Sequence, residues 1–173
     1  DGQRFFAGAW QRMVSVHVEQ HQLIVVFAKS LVTDIPDQQR NAFLFALETA
    51  MRAGEIVGIR KEDIHPSYVR LPMTKNGSAR DVPLSSKAKE ILAKYPDGFG
   101  LTSSQLDANF RRGTRLAGVE GRFHDSRRTA LTRLAKVFTN PMDLARISGH
   151  KDLKILLNTY YTPSVESLAE KMK

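Results

Sequence analysis

Apolar positions in this chain fall into short blocks with helical spacing, interrupted once by a stretch of strand spacing. Phe5, Phe6, Ala9, Trp10, Met13 and Val14 recur at helical intervals, as do Leu23, Val26, Phe27 and Leu31, so residues 1–35 are predicted to be largely helical. Asp34-Ile35-Pro36-Asp37 breaks the pattern, and Pro36 suits the first turn of a new helix. Gln39 to Met51 is then strongly amphipathic, with Phe43, Leu44, Leu47 and Met51 on the predicted core face. Ala53-Gly54 reads as a helix-end signal, after which Glu55 starts a short helix with Ile56, Val57 and Ile59 inward. The period then changes. Tyr68-Val69-Arg70-Leu71 reads as a strand, Asn76-Gly77 as a hairpin turn, and Arg80-Asp81-Val82-Pro83-Leu84 as the returning strand.

Helical spacing resumes at Ser85–Lys94, where Ser85 or Ser86 supplies an N-cap, and Tyr95–Leu101 is a loop of turn residues. Ser104–Ala117 is basic and amphipathic, with Leu106, Phe110 and Leu116 inward, Arg111, Arg112 and Arg115 outward, and Gly118 ending it. Further helices are predicted over Phe123–Phe138, Met142–Ile147 after Asn140-Pro141, Asp152–Thr159 and Pro163–Met172. The predicted fold is mainly α with a small antiparallel β-hairpin sheet, an α+β arrangement.

Composition narrows what such a fold can do. With 173 residues, 42% of them apolar, the chain can bury one good core with a small appendage. It has no cysteine, which excludes disulfides and thiolate metal sites and fits a reducing interior. Its longest apolar run, Leu23–Ala28, is far short of a membrane span. The start DGQRFF has neither an initiating Met nor a signal-peptide pattern, as expected of a trimmed chain. A net charge of +8 favours a polyanionic partner, whether DNA, RNA or an anionic membrane surface, and the basic residues spread over Arg111–Arg133 suit a folded basic face.

Several residues then stand out as candidate chemistry. His17 and His21 sit one helical turn apart around Glu19, but a metalloprotease motif needs Glu directly after the first His, so two surface histidines are the simpler account. Arg52, between two apolar helices, needs an anionic partner if buried; Glu48 or Glu55 offers one structurally, and a bound phosphate would offer one functionally. Lys75 sits at the hairpin tip, where a lysine is either solvated or placed to reach into a groove. His124 and Arg127 are spaced to share a helix face, and His150 follows Gly149 and precedes the pair Tyr160-Tyr161. Separated cations plus a tyrosine suit phosphate chemistry.

In order, ETAMRAGEIVGI, TKNGSARDVPL, FHDSRRTALTRLA and ISGHKDLKILLNTYY resemble the four motif segments of the tyrosine recombinase catalytic domain, the phage-integrase family, over about Gln39 to Met172. The resemblance implies a site-specific recombinase that cleaves and rejoins DNA through a 3′-phosphotyrosine, with no cofactor, metal or ATP, in the integration or excision of a mobile element. It also implies roles. Arg52 and Arg127 would clamp the scissile phosphate, Lys75 would protonate the leaving 5′-oxygen, His124 and His150 would hydrogen-bond the phosphate, and Tyr160 would be the nucleophile. Tyr160 stands one residue farther from His150 than the family spacing, although YYTP aligns it with the family's tyrosine, so Tyr161 stays as an alternative. Residues 1–35 are expected to be a helical lead-in or linker remnant, and 36–173 the catalytic domain with a tail helix at 163–173.

The implied partners are double-stranded DNA and further copies of the chain, as a tetramer assembled through residues 163–173, with room for accessory DNA-bending proteins and no membrane. The implied setting is the cytoplasm of a bacterial or phage-infected cell. Two other readings use the same residues: relaxation of supercoils by a type IB topoisomerase, and a non-catalytic DNA-binding module.

Overall fold

The computed structural model describes residues 35–72, 79–117 and 121–172. The predicted helices within residues 1–34, the His17/His21 pair, Lys75, the Asn76-Gly77 turn and Gly118 lie outside them. Helix α1 (Asp37–Thr49) turns directly into the short α2 (Ala53–Val57), followed by a single 3-10 turn at Lys61–Asp63. Strands β1 (Tyr68–Leu71) and β2 (Arg80–Pro83) come next, then α3 (Ser86–Leu92), α4 (Ser103–Ala117), α5 (Phe123–Val137), α6 (Pro141–Ser148), α7 (Leu153–Tyr160) and α8 (Val165–Glu170). The fold is mainly helical with a two-stranded antiparallel sheet, as the periodicity predicts.

Local chemistry sets most boundaries. Ser85, Asn140, Asp152 and Ser164 each accept a backbone N–H at the start of α3, α6, α7 and α8. One boundary differs from expectation. Ala53-Gly54 opens α2 rather than ending α1, and the left-handed residue that closes α1 is Ala50, at φ 55. A non-glycine residue there costs about 1 kcal/mol or more, so neighbouring contacts must hold it. Elsewhere the turn after Tyr95 needs glycine: at Gly98, φ +89, a Cβ would stand 2.0 Å from the Ile59 carbonyl oxygen.

The hairpin pairs Val69 with Val82 and Arg70 with Asp81. Alternation turns both valines inward to full burial, while Arg70 and Asp81 form an exposed ion pair at 3.0 Å. Two apolar clusters result. The larger joins α1 to α2, the hairpin, α3 and α4, with Phe43, Phe110 and Phe123 in a ring-on-ring group at 5.2 to 6.2 Å. The smaller gathers Ala50, Ala130, Leu131, Leu144 and Leu156 from the α1 end, α5, α6 and α7. Helix α5 packs along α1 and contributes to both clusters. The chain passes from one cluster to the other between Ala50 and Met51, directly before Arg52.

Candidate functional site

The seam between the clusters is where the predicted residues meet. Arg127, one turn into α5, is 3% exposed, a placement a guanidinium tolerates only with full hydrogen bonding. It donates Nη1–H to the Ala50 carbonyl and Nη2–H to the Ser148 carbonyl, each at 2.6 Å. One side chain thereby ties the strained end of α1 to the end of α6. Burial, then the charge of Arg52, pulls the Arg127 guanidinium down to about 10, still protonated at neutral pH.

Arg52 caps the start of α2 and is held by Glu55. The Glu55 carboxylate accepts the Arg52 backbone N–H at 2.8 Å and its Nη1–H at 2.9 Å. Of the two acids considered for Arg52, Glu55 is therefore its partner, while Glu48 receives Arg133 at 3.0 Å and the Ser85 hydroxyl at 2.7 Å. Burial pushes Glu55 upward, but the Arg52 backbone bond and the charge and hydrogen bonds of Arg80 and Arg52 outweigh it, so the carboxyl sits below its ordinary range. Arg52 keeps a side-chain exposure of 44%, against 6% for Glu55, leaving its guanidinium open to an anion.

Arg52, His124 and Arg127 line one cavity of about 210 Å³, with Met51, Phe123 and Asp107 also in its wall. His124, on the first turn of α5, is exposed, whereas Arg127 is buried, so the shared helix face runs from the surface inward. His150 follows the left-handed Gly149 that ends α6. Its Nδ1 lies 2.7 Å from Ser148 Oγ, and that hydroxyl already gives its hydrogen to the Leu144 carbonyl at 2.6 Å. Ser148 Oγ thus engages His150 Nδ1 on one side and the Leu144 carbonyl on the other, which fixes the orientation of the ring. Burial, then the charges of Arg127, Arg52, Arg80 and His124, pushes His150 down to about 4, which places it beside the other cations.

Tyr160 ends α7 against the smaller cluster, where burial raises its phenol while Arg128 and Arg127 pull the other way. Its neighbour Tyr161 is engaged differently: its hydroxyl donates to the Phe138 carbonyl at the end of α5, and burial followed by Asp143 raises its phenol. Of the six predicted residues, five thus converge on one corner and Lys75 lies outside the described residues. Sequence reasoning missed two members of the corner. Ser148 fixes His150, and Arg80 is joined to Glu55 at 2.8 Å and to the Ile147 carbonyl at 2.9 Å. A signal for Arg80 was available, since strand alternation puts it on the inward side with Val82, and an inward arginine needs an acceptor.

Forked donors and an imidazole on one cavity, with His150 and Tyr160 near enough to Arg127 to feel its charge, can hold a phosphate diester beside a nucleophile. Comparison with known proteins agrees with this class. The model of the phage integrase family matches residues 16–167. A putative integrase/recombinase of Haemophilus influenzae is 47% identical over 139 residues, 75% of this chain and 45% of that protein. A shufflon-specific DNA recombinase of Escherichia coli is 40% identical over 123 residues, 66% of this chain and 32% of that protein. Among solved structures, the Tn1549 transposon integrase in complex with circular intermediate DNA superposes with a TM-score of 0.69 at 19% identity, covering 92% of this chain and 66% of that one. A lambda integrase dimer bound to a COC′ core site gives 0.68 at 19%, covering 81% and 57%. The chain belongs to the phage integrase family. It spans less than half the length of these curated relatives. No helix of the described residues is long and apolar enough to cross a membrane.

Proposed function

We propose that this chain is the catalytic domain of a site-specific DNA recombinase, working in the integration or excision of a mobile element. The observation that carries the reading is the convergence of Arg52, His124, Arg127, His150 and Tyr160, drawn from four separate segments, on one cation-rich corner. The recombinase and integrase names of its relatives support it.

In this reading a DNA phosphate takes the place beside Arg52 and the mouth of the cavity, its non-bridging oxygens facing Arg52 and the Arg127 end of α5. Tyr160 Oη attacks phosphorus as the bond from phosphorus to the 5′-oxygen breaks. The phenolic proton passes to a base, a role the family resemblance gives to His124 on the cavity wall, and Lys75 gives a proton to the departing 5′-oxygen. The two guanidiniums offset the charge that builds on the oxygens in the transition state. One phosphodiester is exchanged for another, so bond energy is conserved and the balance calls for neither ATP nor a redox partner. Attack by a second 5′-hydroxyl reverses the step on a new strand and frees Tyr160.

His150 would enter this site neutral. A phosphate anion near it favours the imidazolium, so DNA binding draws a proton onto the ring and makes both nitrogens donors. Tyr160 is favoured over Tyr161 as the nucleophile because Arg128 and Arg127 oppose the burial that raises its phenol, whereas Asp143 adds to that of Tyr161 and the Tyr161 hydroxyl is spent on the Phe138 carbonyl. Helix α8 has no buried residue, and Val165, Leu168 and Met172 are 77%, 45% and 88% exposed. That apolar tail supports packing onto a neighbouring copy in a tetramer on DNA.

The deciding experiment incubates the chain with nicked duplexes of randomised sequence and resolves covalent complexes on a denaturing gel. The wild type is expected to form an adduct that maps to Tyr160 and is absent from Tyr160→Phe. No adduct on any duplex removes the enzymatic reading, and an adduct lost only in Tyr161→Phe transfers the nucleophile.

A further inference from the structure

Arg80 begins β2 and points with Val82 toward the interior, where its side chain is 8% exposed. Its Nε–H donates to the Ile147 carbonyl at 2.9 Å, and its Nη2–H to Glu55 Oε2 at 2.8 Å. That carboxylate oxygen is the one that also accepts the Arg52 backbone N–H. The guanidinium lies over Gly149: a Cβ at that position would be 3.0 Å from Cζ and Nη1 and 3.1 Å from Nε. Gly149 is thus required twice, for its φ of +70 and for the close approach of Arg80.

One side chain therefore touches both the segment that holds Arg52 and the turn that holds His150. Through Glu55 it reaches Arg52; through Ile147 and Gly149 it reaches the turn bearing His150. An ammonium cannot do the same, because two acceptors in different directions need the rigid fork of a guanidinium. We propose that Arg80 is the positioning residue of the site: it never touches DNA, but it locks the Arg52 clamp and the His150 turn in register and anchors both to the first residue of β2. The inference rests on the reading that Arg52 and His150 meet the phosphate.

The test uses a duplex captured covalently by the wild-type chain from the randomised pool. Single-turnover adduct formation is timed for Arg80→Met and Arg80→Lys, and duplex affinity is measured with Tyr160→Phe added to each. The folded fraction comes from circular dichroism at the assay temperature. Misplacing reacting groups by an ångström costs about 100-fold in rate, so Arg80→Met is expected to slow cleavage per folded molecule on that order while duplex affinity stays at the wild-type value. Arg80→Lys keeps the charge and the fold but only one of the two bonds, and is expected to slow cleavage by about 10-fold. Wild-type rates per folded molecule in both variants, or a loss confined to duplex affinity, would overturn the proposal. Arg52→Lys and His150→Gln run alongside: if they cleave like wild type, the site reading itself has failed, separately from the role of Arg80.

Discussion

Arg127 is buried at the seam of the two clusters and gives both ends of its guanidinium to backbone carbonyls, whereas Tyr160 ends a helix in which Leu156 alone is buried. The contrast extends to their surroundings. On the arginine side, Glu55, Arg80, Ser148 and Gly149 form a continuous bonded frame around Arg52 and His150. On the tyrosine side, Ile155, Leu157 and the whole of α8 face outward. Pre-built donors suit a group that must meet developing charge, since they need no rearrangement at the moment of reaction. Tyr160, the proposed nucleophile, sits on a lightly anchored helix and is the part left free to adjust, because local stability follows buried contact.

The strongest blow to this asymmetry is Arg127→Ala. It orphans two carbonyls and leaves a void in a buried position, so it is expected to cost about 3–5 kcal/mol in urea unfolding and to abolish adduct formation. Should the protein lose less than about 1 kcal/mol, the claim that Arg127 pins the two clusters together is wrong.

Leu156→Ala separates the two sides next. Truncating a buried leucine costs about 2–5 kcal/mol. Hydrogen exchange should locate the loss in α7, with amides of α1 and α5 as protected as before. Equal loosening of both regions would show that they unfold as one unit.

The pH dependence sharpens the frame on the arginine side. His150 is held down at about 4 in the folded chain against an ordinary 6.5, so the unfolded chain binds the extra proton first as pH falls. Its contribution is fully present above pH 6.5 and is lost as pH falls toward 4. Glu55, held below its ordinary range by the arginines, adds a further loss at lower pH in the same direction. Urea midpoints taken between pH 7 and pH 4 should decline for the wild type and flatten in His150→Gln. A matching decline in that variant would assign the acid sensitivity elsewhere.

Smaller effects finish the series. Tyr161→Phe gives up one hydrogen bond to the Phe138 carbonyl, about 1 kcal/mol, and should leave the adduct intact. Leu168→Ser on exposed α8 should change monomer stability by less than about 0.5 kcal/mol while weakening assembly on DNA seen by analytical ultracentrifugation. Unchanged assembly in that variant, and after removal of residues 163–173, would end the tail-docking proposal.

Much of the helix map could be read from local chemistry because caps and periodicity act within a turn or two. Ser85, Asn140 and Asp152 cap the helices their positions suggest, and Asn140-Pro141 starts α6. The misread boundary at Ala53-Gly54 has a tertiary cause: Ala50 takes the left-handed conformation while Arg127, 77 residues away in sequence, holds its carbonyl. No local rule favours alanine over glycine there. The choice of Glu55 over Glu48 for Arg52 has a local side, the i,i+3 cap at the start of α2, and a distant one, with Arg80 joining Glu55 and Arg133 occupying Glu48.

Residue type and spacing alone determined that the chain is mainly helical with one hairpin, that its chemistry is cationic, and which side chains were candidates for it. Those are properties of neighbours along the chain, where helix period, capping and motif order are written directly. Only the tertiary structure decided that Arg127 is buried and tied at both ends, that His150 is desolvated against Ser148 and beside the arginines, that the Tyr161 hydroxyl is already engaged, and that Arg80 joins both segments. Each depends on burial and on groups that folding brings together, most of them more than twenty residues apart, and desolvation and hydrogen-bond geometry are fixed only once the chain has folded.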